Sequence, residues 1–347
     1  MAPLDGLRVL DLTMWRPGPY TTQLLGQLGA DVIKVEPPGG EPMRMFRGHF
    51  DLLNRHKRSV ALDLKSPDGL ARCRELAAGA EVFVEGFRPG VAERLGVGHE
   101  ALRAANPALV YCSISGYGAE GPLADVPGHD VNYRAYAAAL PPDAGSPAAD
   151  ELPLADMAAA TMAAFAITAA CLKARATGIG DRVDLGMADV LAHWMGTVPE
   201  AAARSAGGPV PGYGVYPAKD GRRITLGVVS EQRLWASTCR ALDLDDLAGV
   251  PFAERLRRVG ELDGAVAAAV ARLPADEAVE RLTAAGAPVA PILDRARMLD
   301  LDHFRVRDVQ GSGPVRTAVH PPLAGGTVAE LDEHRGQDWR ARDDLTD

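Results

Sequence analysis

A few residues in this chain are of types, and at spacings, that can do chemistry. Asp156 stands in PLADMAAATM, immediately ahead of an alanine-rich stretch that reads as a helix over Met157 to Arg175. An aspartate there is either the N-cap of that helix or a carboxylate beside unpaired N–H groups, where an anionic intermediate can be stabilised. His129 stands in Gly128-His129-Asp130. With a carboxylate it could take a proton from one face of a carbon and return it to the other, although a lone loop histidine is more often a hydrogen-bonded bystander. Asp130 reads as a turn or capping residue. Glu231, in VVSEQRLW, could orient an imidazole or simply open a helix. A cationic run, Arg44, Arg47, Arg55, Lys57 and Arg58, is flanked by Lys34 and Arg88. Taken alone it favours a solvated basic face over a phosphate site.

Composition removes several classes. The 347 residues carry 37 basic and 46 acidic side chains, a net charge of −9, so a nucleic-acid partner is not expected. Cys73, Cys112, Cys171 and Cys239 are widely spaced and form no CxxC pair, so neither a disulfide framework nor a metal site is expected. MAPLDGLRVLDL runs into a strand-like segment without a basic leader. The longest apolar stretch, Met157 to Leu172, is interrupted by threonines and falls short of a membrane span. The expectation is a soluble, cytoplasmic protein with no membrane partner.

These residues need a scaffold, and the chain alternates short β-branched runs with helical ones. RVLDL (8–12), DVIKVE (31–36), SVALDL (59–64), EVFVEGF (81–87) and ALVYCSI (108–114) read as strands. Tyr20 to Leu28 reads as a helix, and Ser66-Pro67 opens another through Ala77, with serine as cap and proline at the first position. Such alternation predicts a mainly parallel sheet covered by helices on both faces. The turn after the first strand, DLTMWRPGPY, lacks G-x-G-x-x-G, which argues against a dinucleotide cofactor. The strand-like RVDLGM follows the apolar helix. SAGGPVPGYG at Ser205 to Gly214 reads as a connection into a second unit with the strand RITLGVV, a helix from Gln232, and helices near Gly260 to Leu273 and Asp276 to Ala285. APVAPILD closes that unit, and the charged run DEHRGQDWRARDD reads as a solvated end.

Several segments in order resemble the type III CoA-transferase (CaiB/BaiF) family, which includes the α-methylacyl-CoA racemases. They are PGPYTTQLLGQLGADVIKVEPPGG (17–40), NRHKRSVALDLKSPDG (54–69), EGFRPGVAERLG (85–96), LVYCSISGYGAEGPLADVPGHDVNY (109–133) and LADMAAATMAAFAITAACLKARATGIGDRVDLGMAD (154–189). The resemblance implies an α/β fold: a large Rossmann-like, doubly wound domain built from both chain ends (1–190 and 301–347). It adds a 191–212 linker, a smaller α+β domain (213–300) and an interlocked homodimer. It implies coenzyme A as part of the substrate, no tightly bound cofactor, and CoA contacts from Lys34, Asn54, Lys57, Arg58 and Arg88. Asp156 matches the family's essential aspartate, nucleophile in the transferases and acid/base in the racemases. Gly128-His129-Asp130, followed by Asn132-Tyr133, resembles the racemase branch. Glu231 matches that branch's glutamate counted back from Trp235 but is one residue out counted from Gly227, and Gln232 replaces the usual proline. The shielding glycine loop of many transferases has only Gly207-Gly208 as a counterpart. The expectation is therefore racemisation of 2-methylacyl-CoA thioesters by Asp156 and His129. CoA transfer through Asp156 is the alternative, and a non-catalytic CoA-thioester-binding protein the third reading.

Overall fold

The computed structural model describes residues 2–141, 144–146, 151–198, 210–307 and 338–339. The Gly207-Gly208 pair, part of the expected linker and most of the expected return segment lie outside them. The chain divides into two compact units, Met1–Thr197 with Arg307–Asp347, and Val198–Val306.

The first unit is a six-stranded parallel sheet, β1 (Arg8–Leu12), β2 (Asp31–Glu36), β3 (Lys57–Ala61), β4 (Val82–Glu85), β5 (Val110–Ser115) and β6 (Arg182–Gly186). The spatial order is β3-β2-β1-β4-β5-β6. Parallel strands joined by helices are covered on both faces, so alternate residues serve two cores. Val9, Val32, Val84 and Cys112 face one core; Leu10, Ile33, Phe83 and Tyr111 face the other. The connecting helices are α1 (Pro17–Gln27), α2 (Arg47–Asn54), α3 (Pro67–Ala78), α4 (Val91–Leu95), α5 (His99–Ala105), α6 (Asp130–Tyr136), α7 (Leu154–Thr177) and α8 (Met187–Met195). Ser66 caps α3 as expected, its Oγ accepting from Gly69 N–H at 3.1 Å with Pro67 at the first position. Within the terminal charged run, Trp339 is not solvated: it joins the second core and donates to Leu76 O at 3.1 Å.

Helix α7 holds its place through small residues. Ala155, Ala158, Ala159, Ala163 and Ala170 are buried on one face, allowing close approach to α1 and β5. By length and composition it could cross a membrane, but that alanine face belongs to the protein core. Phe165 and Leu172 on the helix are 70% and 68% exposed, leaving an apolar surface uncovered in the single chain.

The second unit is a three-stranded antiparallel sheet, β7 (Tyr213–Pro217), β8 (Arg223–Gly227) and β9 (Val289–Pro291). It packs against α9 (Gln232–Ala241), α11 (Val259–Val270) and α12 (Ala275–Ala284), with the short α10 (Phe252–Arg257) between. Buried Arg255 lies 5.1 Å from the Trp235 ring and donates to Val229 O and Ser230 O, which fixes the turn before α9.

Candidate active site

In an open parallel sheet the ligand crevice forms beyond the strand C-termini where the winding reverses. Here that point lies between β1 and β4. A cleft of about 280 Å³ opens there, lined by Thr13–Trp15 after β1, Gly86–Pro89 after β4, Ile114–Gly116 at the end of β5, the 124–129 loop and Asp156. Asp156, His129 and Arg88, three of the residues singled out by sequence, therefore share one cavity.

The position of Asp156 differs from the N-cap geometry. Helix α7 begins at Leu154, so Asp156 is its third residue and Pro153, which has no capping side chain, precedes the helix. The cap comes from elsewhere. Asp130 Oδ1, at the start of α6, accepts from Ala155 N–H at 2.6 Å and Asp156 N–H at 3.3 Å. Asp130 is in turn held by Arg134, which also binds Glu151 at 2.7 Å. The capping role read for Asp130 is thus real but serves a helix 25 residues away. It leaves the Asp156 carboxylate without a hydrogen-bond donor among the described residues. Burial, followed by the nearby Asp130 charge, pushes the Asp156 carboxyl from 3.8 up to about 6, with Arg16 opposing.

His129 is the residue before α6, and its ring is exposed in the same cleft. Its own N–H donates to Asn132 Oδ1 at 3.0 Å, which fixes the loop at the start of α6. Glu231 lies in the second unit, at the residue before α9. Its carboxylate accepts from Val229 N–H at 3.1 Å, consistent with a helix-opening role.

Four of the five residues expected at CoA are inside the protein. Lys34 is fully buried, its Nζ 2.7 Å from Glu41 and 2.8 Å from Thr13 O. Lys57 pairs with Asp11 at 3.0 Å and donates to Asn54 Oδ1 and Pro19 O, each at 2.9 Å. Arg58 grips both oxygens of Asp31 at 2.7 Å and also donates to Asp338 O. Reaching a phosphate would oblige these cations to abandon buried carboxylates, which costs several kcal/mol in a site of this kind, roughly 3–5. In this structure their partners are buried carboxylates and backbone carbonyls. Burial alone would raise the Asp11 carboxyl, but Lys57 and Lys34, with hydrogen bonds from Thr13 and Thr22, hold it far below its ordinary value. Burial lowers Lys57 to about 8 against the pull of Asp11. The network anchors Thr13 and so the turn into α1 that walls the cleft. The same turn needs Gly18, because a Cβ there would stand 2.2 Å from Thr13 Cβ. It also holds Trp15 at φ 66°, a conformation costly for a bulky residue and characteristic of functional sites.

Arg88 behaves differently from the other cations. It is exposed, without an ion-pair partner among the described residues, and lines the cleft. Beside it, sharing Met14 and Phe87, lies a largely apolar slot of about 170 Å³ formed by Leu12, Pro37, Pro38, Leu62 and the exposed Lys65. Sequence reading missed this slot because prolines and leucines carry no chemical signature.

The fold and cleft define an α/β protein with a carboxylate poised at the sheet's switch point. Over residues 4–342 the sequence matches CoA-transferase family III, and the chain belongs to that family. It is 35% identical to the mouse succinyl-CoA:glutarate CoA-transferase over 272 residues, covering 71% of this chain and 61% of that protein. It is 33% identical to succinyl-CoA–D-citramalate CoA-transferase of Chloroflexus aurantiacus, over 88% of this chain and 82% of that one. The fold is similar to the crystal structure of Rv3272 from Mycobacterium tuberculosis, with TM-score 0.84, 30% identity, and coverage of 97% and 98% of the two chains.

Proposed function

We propose that this protein transfers coenzyme A between carboxylic acids, with Asp156 as the nucleophile. The observation that carries the reading is a carboxylate in the cleft whose capping duty has been taken over by Asp130, leaving its oxygens available for attack. The CoA-transferase names of the relatives support it over the racemisation expected from Gly128-His129-Asp130. The sequence of bonds balances without redox or a net proton. An Asp156 oxygen attacks the thioester carbonyl, the C–S bond breaks, and CoA leaves as thiolate from a mixed anhydride. The thiolate attacks the Asp156 carboxyl carbon and releases the donor acid as its carboxylate. The incoming acid displaces the thiolate to form a second anhydride, on whose acyl carbon the thiolate closes, freeing Asp156. In this reading the adenine of CoA occupies the slot between Pro37, Pro38 and Phe87. Lys65 and Arg88 meet the phosphates in place of Lys34, Lys57 and Arg58, and His129 lines the acyl pocket. The chain needs no resident cofactor for these steps, and a second copy covers the apolar face of α7.

Purified protein given succinyl-CoA with glutarate or D-citramalate should form the new thioester, by mass spectrometry, with ping-pong kinetics. Failure with these and a wider panel of acids would defeat the reading. A second reading, α-proton exchange, is favoured by His129 and Asp156 lining one cleft. It predicts deuterium uptake at C2 of a 2-methylacyl-CoA, lost in His129→Ala.

A further inference from the structure

The Trp15-Arg16 pair interrupts the turn from β1 into α1 with a large aromatic and a cation. Trp15 and Pro17, the residues on either side of Arg16, both line the cleft that holds Asp156. Helices α1 and α7 lie together with their starts at the same end: Thr21 Oγ1, one turn into α1, donates to Ala160 O, one turn beyond Asp156. That register puts Arg16, ahead of α1, alongside the first turn of α7. Arg16 is half-buried, and among the described residues no carboxylate is within ion-pairing distance of it. It is the cation that opposes the rise of Asp156.

We propose that Arg16 is the specificity-determining residue for the free-acid substrate, holding its carboxylate beside the Asp156 carboxyl carbon. The inference rests on the transfer reading given above and adds the residue that recognises the acid. The electrostatics supply an order of events. While Asp156 is ionised, its own charge offsets Arg16 and a second carboxylate is repelled. Once Asp156 is a neutral thioester, Arg16 loses that opposing charge. Asp130 does not replace it, being engaged by two backbone N–H groups and Arg134. The arriving acid then supplies the missing negative charge, and its oxygen attacks the Asp156 carboxyl carbon as the C–S electron pair departs with CoA thiolate. A guanidinium matches a carboxylate with two parallel donors, which lysine cannot reproduce. Arg16 therefore selects for a carboxylate acceptor over an alcohol, an amine or water, and only after the enzyme has been charged with CoA.

The test uses the full chain at pH 8, above the Asp156 carboxyl, with succinyl-CoA as donor and glutarate as acceptor. In Arg16→Gln the glutarate KM should rise about ten- to a hundredfold, the change matching loss of a hydrogen bond to a charged group. The succinyl-CoA KM should move far less, and Arg16→Lys should recover part of the loss. An unchanged glutarate KM in Arg16→Gln, or equal increases for both substrates, overturns the inference while leaving transfer through Asp156 standing. Absence of transfer and of any Asp156 adduct in the unaltered protein defeats the transfer reading itself, and the role of Arg16 with it.

Discussion

Replacing Asp156 with asparagine should inactivate the protein and stabilise it at once. The carboxyl is raised from 3.8 to about 6 because burial and Asp130 disfavour its charged form. A carboxyl with a higher pKa in the folded chain than in the unfolded one binds its proton more tightly when folded. Its contribution therefore favours folding fully below about pH 4 and is lost as pH rises through about 6. At about 1.4 kcal/mol per pH unit, the rise corresponds to at most about 3 kcal/mol of stability forgone at neutral pH. Asparagine keeps the shape, removes the charge, and should recover part of that amount. For a unit of this size the gain would appear as several degrees of melting temperature, at roughly 2–4 °C per kcal/mol. The assay is thermal unfolding of Asp156→Asn and the unaltered protein between pH 4 and 8. The two curves should approach each other toward pH 4, diverge between about pH 4 and 6, and keep a near-constant gap above that, with the variant more stable. A variant that melts lower at pH 8, or a gap independent of pH, would refute the argument that the carboxylate is held at an energetic cost.

Lys57→Met strands the buried Asp11 carboxylate and should cost roughly 3–5 kcal/mol in urea unfolding. Lys65→Met, by contrast, removes an exposed cation and should leave stability within about 0.5 kcal/mol. Arg88→Gln should weaken CoA binding about tenfold by calorimetry, with a shallower dependence on salt. Arg58→Gln should reduce stability more than CoA affinity, since Arg58 grips Asp31. The exposed Phe165 and Leu172 on α7 lead us to expect a dimer by light scattering, and Phe165→Glu should weaken that association.

The strands were legible because both-face burial leaves continuous β-branched runs. RVLDL and DVIKVE coincide with β1 and β2, and six parallel strands follow from the alternation with helices. The start of α1 was obscured because Pro17-Gly18-Pro19 reads as a turn, although proline suits the first turn of a helix, where its missing N–H has no partner to lose. Strand β7 was hidden in a stretch rich in glycine and proline. The cleft residues Asp156, His129 and Arg88 could be named because their chemistry and the family resemblance coincide. The surroundings of the cationic run were not legible, since a sequence does not say whether a lysine meets solvent or a buried aspartate. Lys34 and Lys57 sit on strands whose neighbours are buried, and Asp11, Asp31 and Glu41, their partners and that of Arg58, come from separate segments. The capping of α7 by Asp130 was equally beyond local reading, because the donors and acceptor are 25 residues apart.

The central claim is that Asp156 carries the acyl and CoA groups in turn. The most direct measurement is mass spectrometry of the intact protein and its peptides after rapid quenching with succinyl-CoA alone, with hydroxylamine added in parallel. The account predicts a CoA-sized adduct on the peptide containing Asp156, converted by hydroxylamine to a hydroxamate, dependent on the thioester and absent from Asp156→Asn. Transfer of CoA to glutarate in the absence of any such adduct, or with the adduct on another residue, would contradict it.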